Sequence, residues 1–138
     1  IEGVPPNDEP RNLTADQGQA LVQTLAAGKP ATISISADPG GPEPGGYALA
    51  IATRLGMAGW AIEGSQIRRT VPPGLDAIHG LVLVVKDEKA PPDKAVALKK
   101  AMAAAKIFVP IIAKPDMATG AALLWVGKRP VLNAVATQ

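Results

Sequence analysis

The chain contains no cysteine, which excludes disulfides, thiolate nucleophiles and cysteine-ligated zinc. Aromatic residues make up only 3% of it, so the core must be built from Ala, Val, Ile and Leu. A single histidine leaves metal binding and His-dependent catalysis one candidate, His79. Neither sign of charge dominates. With 14 basic and 12 acidic residues the net charge is +2, too balanced for a polyanion binder. No apolar run approaches the roughly 18 residues of a membrane span. The nearest, residues 101–113, is broken by Lys106 and Pro110. Nor does any stretch have the form of a signal peptide. The chain opens on Ile1 rather than Met, as expected of a piece of something longer, and an upstream anchor is compatible with that.

What is present fits one globular unit: 138 residues, 47% of them hydrophobic and 19% charged. Residues 1–12, with Pro5, Pro6 and Pro10, read as a flexible leader, residues 13–130 as a single α/β domain, and residues 131–138 as a C-terminal tail. Thr14 and Gln17 form a capping-box pair ahead of Leu21, Val22 and Leu25, so a helix starts there and stops near Gly28. Ala31, Ile33 and Ile35 alternate with Thr32, Ser34 and Ser36, the period of a strand. Tyr47, Ile51 and Leu55 recur every four residues and predict a second helix, followed by a strand opening at Trp60. The unbroken run 81–85 predicts a strand covered on both faces. Pro91 and Pro92 suit the start of a third helix that buries Ala95, Leu98, Met102 and Ala105 and exposes Lys94, Lys99 and Lys100. Two further strands are expected over 108–113, where Pro110 suggests an edge, and over 121–126. The order αβαββαββ predicts a three-layer α/β sandwich with a mixed, mainly parallel sheet of about five strands.

The Gly- and Pro-rich loop 37–46 joins a strand to a helix, where open α/β sheets place their ligands. Its spacing matches neither G-x-G-x-x-G nor a P-loop, and Pro39, Pro42 and Pro44 remove three N–H donors, so a stiffened surface loop is the plain expectation. Should strands one and three run parallel, residues 38–46 and 86–89 share a rim. Asp38, Gly40, Gly41, Glu43 and Tyr47 then converge with Lys86 and Asp87 as a site for an anionic or polar ligand. The same topology puts His79 on the opposite rim, without a metal-ligand set around it or a nucleophile in a G-x-S-x-G elbow. Ser34, Ser36 and Ser65 lack a catalytic context, and Glu63 reads as an outward-facing strand residue. Arg68, Arg69 and the lysines of the third helix are not interleaved with aromatics, so they read as a solvated face rather than a nucleic-acid surface.

Arg11-Asn12-Leu13-Thr14 with Gln17, then Tyr47-Ala48, Ala58-Gly59-Trp60 and Val126-Gly127-Lys128-Arg129-Pro130, together resemble the soluble domains of uncharacterised, often membrane-tethered proteobacterial proteins. The resemblance implies an α/β fold and a tether to the inner membrane through an upstream segment. It carries over no catalytic or binding residues. A core pattern without a catalytic constellation therefore predicts a non-catalytic binding or protein-interaction module, its partner on the strand 121–126 edge or the third helix. The alternative is a domain for a small anionic or nucleotide-like ligand at the loop after strand one. A hydrolase or transferase ranks third, since nucleophile, base and metal ligands are all missing.

Overall fold

The computed structural model describes residues 11–128. Of the leader expected over 1–12 only Arg11 and Asn12 fall within that range, and the tail expected over 131–138 lies outside it. Helix α1 (Ala15–Ala26) starts where Thr14 and Gln17 predict. The Thr14 hydroxyl accepts from the Gln17 N–H at 3.1 Å, and the Gln17 side chain accepts from the Thr14 N–H at 3.0 Å. Two backbone donors that a helix start otherwise leaves open are thus satisfied. Helix α2 (Glu43–Met57) buries Tyr47, Ile51 and Leu55, roughly 1.5–3 kcal/mol for each side chain. It stops at Ala58, and Gly59 takes the left-handed conformation (φ 91°) that such a stop requires. Helix α3 (Asp93–Ala104) follows Pro92 and turns Ala95, Leu98, Ala101 and Met102 inward.

Strands β1 (Thr32–Ala37), β2 (Ala61–Ile62), β3 (Leu81–Val85), β4 (Ile111–Ala113) and β5 (Ala122–Val126) form one sheet in the order β2-β1-β5-β3-β4. β1 is parallel to both β2 and β5, and β3 is parallel to β4. The β3–β5 ladder is antiparallel. The α/β sandwich with a mixed, mainly parallel sheet is therefore the observed fold.

The two βαβ units, β1-α2-β2 and β3-α3-β4, run in opposite directions and step to opposite edges of the sheet. A right-handed crossover in each brings both helices to the same face. α1 packs there too, against α2 and α3. The main core lies between: Ile33 and Ile35 of β1, Leu83 of β3 and Leu124 of β5 meet Leu21, Ile51, Leu98 and Met102. On the other face Val82, Val84, Leu123 and Trp125 are covered by Leu75, Val71, Ile78 and Met117, which come from the segments before β3 and after β4. The third layer is irregular chain rather than helix. Trp125 is fully buried under it, and its indole N–H donates to the Ile78 carbonyl at 3.0 Å.

One expected edge moves. β5 lies at the centre of the sheet, hydrogen-bonded on both sides, so residues 121–126 offer no edge to a partner. The edges belong to β2 and to β4, which begins just after Pro110.

Candidate functional site

The sheet register decides which predicted site residues meet. Ala37 is level with Val126, and Val126 with Leu81, so β1 ends where β3 begins. The expected parallel alignment of strands one and three is overturned, because β5 inserts between them, parallel to one and antiparallel to the other. Asp38 and Lys86 stand at opposite ends of the sheet. His79, expected on the far rim from Asp38, is on the same rim and exposed: Gly80 N–H donates to Lys128 C=O and Asp38 N–H to Val126 C=O. Lys86 joins the other rim, its Nζ 3.4 Å from the Met117 carbonyl, and Asp87 accepts from the Lys89 N–H at 2.9 Å.

The five residues left together, Asp38, Gly40, Gly41, Glu43 and Tyr47, form a junction whose polar groups largely serve one another. Asp38 is buried, and its Oδ1 accepts from Gly40 N–H at 2.8 Å. Gly41 N–H donates to the Pro39 carbonyl at 3.0 Å. Arg69 Nη2 donates to the carbonyls of Asp38 and Gly41 at 2.6 and 2.7 Å and pins the loop from outside. Arg11 performs the same service for α2. Its Nε and Nη2 grip the two Glu43 carboxylate oxygens at 2.9 Å each, and Nη2 also donates to Gly127 C=O at 2.6 Å. Its guanidinium lies 4.7 Å from the Tyr47 ring centre. Burial raises the Tyr47 phenol above its ordinary pKa; Arg11 opposes that shift and Glu43 adds to it. Sequence reading missed Arg11 and Arg69, because their partners lie about thirty residues away and leave no local pattern.

A different group of polar side chains gathers on the coil-covered face. Alternation along β1 turns Ser34 and Ser36 away from the helices, into a pocket of about 370 Å³ shared with Arg68, Thr70, Lys114 and Asp116. Leu123, Val71 and Met117 supply its apolar surface. Arg68 extends the sheet locally: its N–H donates to Ile35 C=O at 2.9 Å and its C=O accepts from Ala37 N–H at 2.8 Å. Its exposed guanidinium has no hydrogen-bond or ion-pair partner among the described residues. Lys114 Nζ, by contrast, is 2.7 Å from the Asp116 carboxylate, and that hydrogen bond holds the exposed carboxyl below its ordinary range. Ser34 Oγ donates to Glu63 Oε1 at 2.9 Å. No hydrogen bond links either serine to His79 among the described residues, and no three His, Asp or Glu side chains among them gather around a metal position.

A third surface lies at the β4 edge. Phe108 is 82% exposed and, with Lys99, Lys106 and Val109, frames a shallow recess of about 260 Å³ where α3 gives way to β4. Leu83 N–H bonds to Pro110 C=O and Lys114 N–H to Val85 C=O, so the even-numbered backbone of this segment faces β3. The N–H and C=O groups of Ile111 and Ala113 point outward.

No known protein family, curated protein or solved structure matches the chain. Among the described residues no helix is long and apolar enough to cross a membrane.

Proposed function

We propose that this domain is a non-catalytic protein-interaction module that takes an extended, acidic and partly apolar segment of a partner along β4. The observation that carries the reading is the exposure of Phe108 beside an open strand edge. Covering a side chain of this size supplies roughly 1.5–3 kcal/mol. The outward groups of Ile111 and Ala113 offer main-chain hydrogen bonds to an added strand. Lys99 and Lys106, exposed beside Phe108, favour carboxylates in the incoming segment. β4 has three residues and is flanked by Pro110 and Lys114, features that discourage indiscriminate edge-to-edge pairing and self-association. In this proposal the chain displays a binding surface rather than a reaction centre.

Selection of displayed random peptides on the whole chain, followed by affinity measurement, tests the reading. Enriched peptides are expected to combine acidic with apolar residues, and Phe108→Ser to weaken them about tenfold or more. The double variant K99E/K106E is expected to reject the same peptides. Selected peptides indifferent to Phe108→Ser, or without acidic residues, overturn it. Light scattering is expected to show a monomer. A dimer abolished by Phe108→Ser would make a second copy the occupant and displace the heterologous partner.

A further inference from the structure

We infer that the pocket between the β1 serines and the coil layer binds a small organic monocarboxylate. At about 370 Å³ it falls within the range of small-ligand sites, toward the lower end. Charge bookkeeping narrows the ligand. Lys114 and Asp116 neutralise each other, which leaves the unpartnered Arg68 guanidinium as the one uncompensated charge lining the pocket. A planar guanidinium presents paired N–H donors that match the two oxygens of a carboxylate.

The hydroxyls of Ser36 and Thr70 line the same space and can donate to the bound oxygens. Ser34 has its hydroxyl proton committed to Glu63, so it meets a ligand as an acceptor. Glu63, reached through Ser34 and in no ion pair with a described cation, brings negative charge to the neighbourhood. A second charge on the ligand is therefore opposed, and a monocarboxylate is preferred to phosphate or a dicarboxylate. Leu123, Val71 and Met117 provide the apolar surface for its hydrocarbon part. The pocket shares no residue with the Phe108 recess, so it stands independently of the β4 reading.

The test is a ¹H–¹⁵N titration of the whole chain with hexanoate and benzoate, each beside its uncharged primary amide, and with inorganic phosphate. The carboxylates are expected to shift the amides of Ser36, Arg68, Thr70 and Leu123 saturably. The primary amides are expected to bind about tenfold more weakly, and phosphate more weakly than either carboxylate. Arg68→Gln is expected to reduce carboxylate affinity about tenfold or more, with the rest of the spectrum unmoved. Thr70→Val, a shape-conserving change at an exposed position, is expected to cause a smaller loss and serves as the second variant should Arg68→Gln disturb folding. Shifts that persist in both variants, phosphate binding as tightly as the carboxylates, or no saturable shift at millimolar probe each overturn the assignment.

Discussion

Arg11 shows how a single side chain can matter more than its neighbourhood in sequence suggests. It stands in a Pro-rich stretch that reads as a leader, yet it grips Glu43, covers Tyr47 and reaches Gly127. Replacing it with Ala is expected to cost about 1–3 kcal/mol of stability, measured by urea unfolding, through loss of charge-assisted hydrogen bonds. Tyr47 is the chain's only tyrosine, so its ionisation can be followed by ultraviolet absorbance without interference from another phenol. Its pKa is raised in the fold chiefly by burial, so the folded state holds the phenolic proton after the unfolded state has released it. Stability is therefore expected to fall as pH rises above about 10, and the phenol to titrate higher in native buffer than in urea. A native titration at or below the unfolded one contradicts the burial of this ring. Gly127 provides a third case. A Cβ there would run into the Ile78 carbonyl and sit 2.9 Å from Trp125 Nε1. Gly127→Ala is expected to cost about 1–3 kcal/mol, because a backbone carbonyl cannot step aside as a flexible side chain can.

Individual elements were largely legible in the sequence, and the reason is local chemistry. The Thr14–Gln17 pair located α1, and Thr14→Ala is expected to cost about 1 kcal/mol by removing one partner of the box. The apolar run of β3 announced burial on both faces and has it, between the helix-side core and the coil-side cluster. Strand direction was less accessible, since no residue in 81–85 records which way its neighbours run. A clue was nevertheless present. The two connections that contain α-helices, β1-α2-β2 and β3-α3-β4, join parallel strands, while the passages without an α-helix, from β2 to β3 (with a short 3-10 turn at Glu63–Ser65) and from β4 to β5, reverse direction. Parallel neighbours need a long crossover, and a chain that returns without one comes back antiparallel. Applied to 114–121, that rule places β5 against the direction of β4; the parallel pairing of β1 with β5, which no local pattern announces, then removes the expected meeting of Asp38 with Lys86. Ser34 and Ser36 held a second clue. Hydroxyls on one face of an interior strand mark a face not sealed by aliphatic packing, and the 370 Å³ pocket lies there.

At the scale of the molecule the three faces divide the work. The helix-covered face holds most of the core, the coil-covered face carries the Arg68 pocket, and the β4 edge presents Phe108 and free backbone. The separation predicts independence: Phe108→Ser is expected to leave hexanoate binding unchanged, and Arg68→Gln to leave peptide binding unchanged. Mutual loss in both variants would point to a single shared surface.

Amide hydrogen exchange across 111–113 in the free monomer and in its complex with a selected peptide addresses the open edge most directly. In the free protein the Ile112 N–H, turned toward β3, is expected to exchange about tenfold or more slowly than those of Ile111 and Ala113. Bound peptide is expected to slow all three. Ile111 and Ala113 already as slow as Ile112 in the free monomer, or unchanged by the peptide, would contradict strand addition at β4.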